Sequence, residues 1–435
     1  MCQTLFSIPP TLFGIPVFGF GLLLGVWVLV SLVIMVWLVR KQGFNADTWG
    51  YVPILVVVAV VIVWLLPLLE KEGGLPIRGY GAMMLLAVLA ATGLAAWRAK
   101  RLGLDPEMIF SLAIWVFVPG IIVARLFYVV EYWSKDYWPI YKDPENGGLG
   151  PLLGAMINVT EGGLVVYGSL FGATLGLILF VRKHRLPLLA LCDLVAPSIM
   201  LGLAIGRIGC LLNGCCFGGP CNLAWAVTFP PEAPAYQSQI MRGQLYGFAI
   251  PADPGAVPEV RSVVPGSPAE EAGLQPGDQL ADIVGCGTTT ADDAHRALLY
   301  FYDKEKPVPI ELADGRSITL PPPVVRPRSL PVHPTQLYSS INALLICLLL
   351  LAYDPFHRRD GELIALMLTL YAIGRFLLEI IRTDETGFLG TGLTISQNIS
   401  LVVLVAAIAL WFTILRQPPR LLFVDMAKGK PPGGR

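Results

Sequence analysis

Charge is what this chain has little of. Only 14% of its 435 residues are Asp, Glu, Lys or Arg, against 55% hydrophobic, and the formal net charge is zero. A soluble domain carries about 25% charged residues, so the composition excludes that class and reads as a polytopic membrane protein. Zero net charge gives no support for a nucleic-acid partner. Histidine is scarce too, limited to His184, His295, His333 and His357, and no HExxH is present. That argues against an intramembrane zinc protease. No GxSxG, P-loop or dinucleotide fingerprint stands in a suitable context, so no cofactor is expected. The eight cysteines contain no CxxC pair, which leaves a zinc site or a thioredoxin-like centre weakly supported and no metal expected.

Long apolar runs are abundant. Runs of spanning length predict nine helices, at roughly 17–39, 51–69, 79–97, 109–131, 161–181, 188–212, 335–353, 362–382 and 396–415. The first is long enough to stay in the bilayer rather than be removed as a signal. Arg40 and Lys41, Arg98 to Arg101, Arg182 to Arg185, Arg358 and Arg359, and the basic tail 416–435 all fall on one side. The positive-inside rule makes that side cytoplasmic. The N-terminus is then outside and the C-terminus inside, as nine crossings require.

A repeat sits at the front. GIPVFGFG from Gly14 recurs as GLPIRGYG from Gly74, and VRKQG ending at Gly43 recurs as AKRLG ending at Gly103. Residues 1–73 therefore read as an additional helix pair, a duplicate of 74–130. The second copy carries Arg78, Tyr80 and Arg125 where the first has Phe18, Phe20 and Leu65. The first pair reads as structural and the second as the working one.

Residues 226–329 are far more polar and rich in Pro and Gly, and the topology places them outside. VRSVVPGSPAEEAGLQPGDQLADIVG reads as strand, turn, short helix, turn, strand. Ala291 to Tyr302 suits a helix, and PIELADGRSITL suits a hairpin turning at Asp314-Gly315. Gly266 to Val284 resembles a PDZ domain of the bacterial periplasmic-protease type, over about 256–323. That resemblance implies capture of a peptide C-terminus by strand addition. The fold class expected is thus an all-α polytopic membrane protein with a small inserted α+β PDZ-like domain.

Polar residues inside apolar helices point to function, because an ionisable group at membrane depth costs a few kcal/mol or more. Arg125 lies in the fourth predicted helix, Glu161 and Tyr167 open the fifth, and Arg207 closes the sixth. Spacing of four puts Tyr371, Arg375 and Glu379 on one face of the eighth. Arg207 and Arg375 fall in the same outer half of the bilayer, where two guanidinium groups suit a lipid phosphate better than lysines would. The alternative for each arginine is an ion pair, such as Arg375 with Glu379, or snorkelling to headgroups. GRIGCLLNGCCFG from Gly206 adds Cys210, Cys215 and Cys216, with Cys221 close behind. In an oxidising compartment a pair among Cys215, Cys216 and Cys221 suits a disulfide, with packed thiols as the other reading.

EGGLVVYGSLFG, GRIGCLLNGCCFG, HPTQLYSS, YAIGRFLLEIIR and LTISQNISL occur in that order after IRGYGAMM. Together they resemble the prolipoprotein diacylglyceryl transferases of bacterial inner membranes, over about 74–225 and 330–415. The resemblance implies transfer of the diacylglyceryl group of phosphatidylglycerol to a lipobox cysteine of a prolipoprotein. It implies a catalytic set of Arg207, Arg375, Tyr80, Tyr167 and Glu379, and a phosphatidylglycerol site of Arg207, Arg375, Gly218, Tyr371 and His333. The chain departs from the usual GRxGNxxNGExxG at Cys210 and Cys215, and Tyr167 stands at the family's histidine position. A thiol–disulfide oxidoreductase built on Cys210 to Cys221, or a non-catalytic relative that binds lipid or peptide, are the alternative readings.

Overall fold

The computed structural model describes residues 3–43, 52–68, 74–143, 148–158, 163, 165–251, 255–283, 285, 287–323, 325–382 and 393–427. Among them, eight helices are long and apolar enough to cross a membrane. They are α1 (Leu22–Gln42), α2 (Gly79–Arg101), α3 (Glu107–Glu131), α4 (Val166–His184), α5 (Leu188–Asn213), α6 (Thr335–Tyr353), α7 (Glu362–Ile381) and α8 (Ile395–Leu415). The chain is a multi-pass membrane protein.

The remaining expected span, 51–69, is helical from Val52 to Leu68 but irregular, with a π-helical turn at Val61–Leu65 before Pro67. Proline lacks the N–H that would close the preceding turn, and its ring crowds the carbonyl four residues back. Widening the turn relieves both. The segment is less regular than the apolar run suggests, and its described part, Val52–Leu68, is helical throughout.

The chain divides into two compact units, one of residues 1–85 with 208–334, the other of 86–207 with 335–435. In the second, α3 and α4 pack through a stripe of glycines. Gly168, Gly172 and Gly176 are buried at four-residue intervals along α4. A Cβ on Gly176 would lie 1.8 Å from the Trp115 carbonyl oxygen, and one on Gly172 2.2 Å from that of Pro119. Small residues let the backbones meet where lipid offers no hydrophobic drive for association. On α7, a Cβ on Gly374 would lie 2.5 Å from Asn342 Nδ2 of α6. The Ser340 hydroxyl of α6 donates to the Ala204 carbonyl of α5 at 2.7 Å. Of the eight helices, α5 is the most buried and α1 the least.

The ends of α2, α5, α6 and α7 that carry Arg98, Asp193, Asp354 and Glu362 are locked by a polar network. Arg98, almost wholly buried, donates to the carbonyls of Asp193 (2.8 Å) and Leu194, and pairs with Asp354 at 2.8 Å. Asp193 accepts from the backbone N–H of Gly361 at 2.6 Å and of Ile364 at 2.8 Å. It thereby caps α7 from another helix, satisfying donors that every helix N-terminus leaves open.

In the first unit, strand Thr4–Ile8 pairs antiparallel with Leu75–Arg78. The extended pieces Ile15–Pro16 and Leu75–Arg78 precede α1 and α2 at the repeat's sixty-residue offset (75 − 15). The polar segment contains a helix at Pro234–Met241 and a two-strand pairing of Phe248–Ala249 with Ser262–Val263. A helix at Ala291–Lys304 follows, opened by a Thr290/Asp293 capping box. A three-stranded sheet joins Leu280–Ile283, Val308–Leu312 and Ser317–Leu320 in that order. The last two form a hairpin turned at Asp314-Gly315, with Gly315 at φ +85°. Alternation supplies the core: Val308, Ile310 and Leu312 point inward while Pro309 and Glu311 face out. They meet Leu298, Tyr302, Ile283, Phe248 and, further upstream, Tyr236 and Ile240.

Candidate active site

Arg207 sits near the C-terminal end of α5, where its buried Nε has no hydrogen-bond partner among the described residues. A buried guanidinium nitrogen left unbonded is costly, so such groups ordinarily find an acceptor. The position is one an incoming anion can complete.

Arg375 and Glu379 lie one turn apart on α7, as their spacing predicts, and form an ion pair in which the Glu379 side chain is fully buried. Arg382 stands 3.5 Å from the same carboxylate oxygen. A second Arg375 nitrogen donates to the Ser396 hydroxyl on α8 at 2.7 Å. The first turn of α8 is fixed by its own capping box, Thr394 with Gln397. Arg375 is therefore aimed from two helices at once. The sequence offered Glu379 as a partner through its spacing, but nothing in it paired Ser396 with Arg375. Tyr371, one turn earlier on the same face, is half-buried beside the α5–α7 core.

Arg125 has a different place. Its Nε donates to the Met156 carbonyl at 2.9 Å, and its two terminal nitrogens to those of Gly163 (2.9 Å) and Ala155 (2.8 Å). Gly163 has φ +79°, and a Cβ there would lie 2.4 Å from the guanidinium. Arg125 thus holds the loop that leads into α4. Tyr167 stands in the first turn of that helix and is 44% exposed. Glu161 lies outside the described residues.

In the first unit, Tyr80 packs against Gly209, where a Cβ would meet its ring at 3.4 Å. Gly218 and His333 are brought together through the backbone: the Gly218 N–H donates to the His333 carbonyl, and the His333 N–H to that of Gly219, both at 3.0 Å. Val227 and Val332 exchange N–H···O bonds at 3.1 and 3.0 Å and extend the same stitch. The segment after α5 is therefore tied to the residues that lead into α6. At the end of α5, the sulfur atoms of Cys210, Cys215 and Cys216 converge to within 4.8 Å of one another.

Within the second unit, guanidinium groups near the ends of lipid-suited helices, Arg207 and Arg375, are of the chemistry that binds an anion. Comparison with known proteins agrees with that chemistry. A family model described as prolipoprotein diacylglyceryl transferase matches residues 67–413. The phosphatidylglycerol–prolipoprotein diacylglyceryl transferase of Rhodopirellula baltica is 33% identical over 483 aligned positions, covering 100% of this chain and 92% of that protein. The protein of the same name from Clostridium tetani is 26% identical over 79% of this chain and 95% of its own length. That of Trichormus variabilis is 36% identical over 38% of this chain and 54% of its own. With the ordered motifs, the arginine-bearing helix ends and a match that runs through nearly all the membrane helices, the chain belongs to the prolipoprotein diacylglyceryl transferase family.

Proposed function

We propose that the chain transfers the diacylglyceryl group of phosphatidylglycerol to the lipobox cysteine thiol of prolipoproteins, releasing glycerol phosphate. The observation that carries the reading is the family match over residues 67–413, and at residue level the buried Arg207 Nε has no hydrogen-bond partner among the described residues. In the reaction the thiolate attacks a glycerol carbon. The C–S bond forms as the C–O bond to phosphate breaks, and the bonding electron pair leaves on the phosphate oxygen. The leaving glycerol phosphate gains a second negative charge while the thiol gives up its proton. Arginines fixed beforehand stabilise that growing charge without reorganising, which is where such donors act most strongly.

On this reading Arg207 and Arg375 hold the phosphate, and Glu379 and Ser396 position Arg375. Tyr80, Tyr371, Gly218 and His333 belong to the headgroup end of the site. Tyr167 occupies the start of α4 as a candidate proton acceptor, assisted by the arginine-bound phosphate. A tyrosine titrates near 10 in water, so the phosphate is the stronger candidate of the two. The basic loops support a bacterial inner-membrane orientation with the N-terminus and residues 226–329 outside and the C-terminus inside. A peptide C-terminus bound at the PDZ-like segment is a separate part of the proposal; deletion of 256–323 tests it by comparing transfer to full-length prolipoprotein and to a short lipobox peptide.

The decisive experiment gives purified protein phosphatidylglycerol and a lipobox peptide. A thioether-linked lipopeptide, with equimolar glycerol phosphate, is expected. No product from a folded preparation overturns the reading.

A further inference from the structure

We propose that Cys210, Cys215 and Cys216 form a binding site for a thiophilic d10 metal ion, zinc or cuprous copper. The three sulfur atoms all lie within 4.8 Å of one another. Around an ion with metal–sulfur bonds of about 2.3 Å, thiolates stand roughly 3.8–4.0 Å apart, so closure needs movements under about 1 Å. Side-chain rotation alone covers that distance.

The backbone explains the convergence. Gly214 ends α5 at φ +77°, and the N–H groups of Gly214 and Cys215 both return to the Cys210 carbonyl, at 2.9 and 3.2 Å. The turn folds the chain back over the last turn of the helix, which is where Cys210 sits. Cys216 then takes φ +58°, a left-handed conformation that costs a non-glycine residue about 1–2 kcal/mol. The turn is clamped on both sides, by the Ala235 N–H donating to the Gly214 carbonyl (3.1 Å) and by the Gly218 N–H donating to that of His333 (3.0 Å). Three thiols are therefore held together by backbone bonds that do not depend on the thiols.

The donor set selects the ion. No histidine or carboxylate joins the three sulfurs within the same distance among the described residues. An all-sulfur site disfavours magnesium and calcium and suits soft ions. Three thiolates complete a trigonal cuprous site, whereas zinc would keep a fourth position for water or another ligand. Binding releases one proton from each thiol that becomes a ligand and involves no change of oxidation state. Two of the three cysteines, Cys210 and Cys215, are the departures from the GRxGNxxNGExxG pattern, so one local change removes an amide and a carboxylate and supplies two ligands.

The test uses the full-length protein, reduced, desalted and held in detergent without oxygen. Cadmium serves as the spectroscopic probe through its ultraviolet thiolate charge-transfer band. Zinc and cuprous ions are then competed against chromophoric chelators, which distinguishes the two. One equivalent per chain is expected, with affinity lost by about 100-fold or more in Cys210→Ser, Cys215→Ser or Cys216→Ser and retained in Cys192→Ser and Cys347→Ser. Bound metal in the unaltered protein should also protect Cys210, Cys215 and Cys216, and not Cys192, from maleimide labelling read by mass spectrometry. That readout survives if a variant fails to fold. Absence of stoichiometric binding, or labelling unchanged by metal, overturns the proposal; so does a disulfide among the three that resists reduction and excludes the ion.

Discussion

The two ends of α5 and α7 make an instructive contrast. At their first turns Asp193 and Glu362 sit in a network in which the acids are matched by Arg98, Arg359 and the backbone N–H groups of α7. At their far ends, Arg375 and Arg382 lie on Glu379, and Arg207 carries a buried Nε without a hydrogen-bond partner among the described residues. One end is tied across helices by these bonds and serves the fold. The other carries arginines on its last turns, two of which, Arg375 and Arg382, lie on Glu379. Ionisable groups at membrane depth are expensive, which makes such an end the place to look for function.

Substitution at the two ends should break the contrast in opposite ways. Arg207→Ala should lower kcat/KM for transfer by about 10³-fold, roughly 4 kcal/mol, while leaving the melting temperature in detergent nearly unchanged. Arg98→Ala should do the reverse. It leaves two carbonyls and Asp354 without their donor and should lower stability by about 2–3 kcal/mol, with near-normal activity in the molecules that remain folded. Equal loss of activity from both would mean that the two ends are not functionally distinct.

A finer comparison sets the two buried carboxylates against each other. Glu379→Gln should reduce activity about 10–100-fold, mainly through a higher KM for lipid, because Arg375 loses the partner that orients it. Asp193→Asn keeps one acceptor for the α7 N-terminus, and should shift melting by about 1 kcal/mol or less without changing KM. Melting curves and initial rates on the same preparations separate the two effects.

Packing and pH give the smaller effects. Gly176→Ala places a Cβ against the Trp115 carbonyl and should destabilise α3–α4 pairing by about 1–3 kcal/mol, whereas Gly25→Ala on α1 meets nothing within 4 Å and should be neutral. In the polar segment, burial holds the His295 pKa below its usual 6.5, against the hydrogen bond to the Pro251 carbonyl, which raises it. The unfolded chain then takes up its proton at a higher pH than the folded one. Stability contributed at His295 is present above about pH 6.5 and declines as pH falls towards the folded-state pKa. Hydrogen exchange of residues 234–320 at pH 5 and 7.5 should show that loss, by under about 1 kcal/mol, and His295→Gln should remove it.

The spans were legible from residues alone because bilayer thickness sets a minimum apolar length that few other structures need. The Asp314-Gly315 hairpin and the four-residue spacing of Arg375 and Glu379 were legible for a similar reason: each is a local pattern set by neighbouring residues. The irregularity of the second span was not, since Pro67 widens a turn that hydropathy cannot see. Arg125 read as a candidate for function as readily as Arg207 did, because composition and depth are alike for both. The structure separates them: carbonyls from residues 155–163 bond every nitrogen of one guanidinium and leave the Nε of the other without a partner.

The sequence by itself determined the class of protein, the order of its motifs and the residue types able to hold a phosphate. These follow from hydrophobic length, helical spacing and the donor chemistry of arginine, which are properties of short segments. Only the tertiary structure decided which charges are spent on the fold and which remain available. Asp193 caps a helix whose N-terminus begins 169 residues later (362 − 193), and Ser396 steadies an arginine on another helix. Three cysteines meet because a glycine turns the chain back on itself. Such pairings depend on distances across the folded chain, which no local pattern of residues encodes.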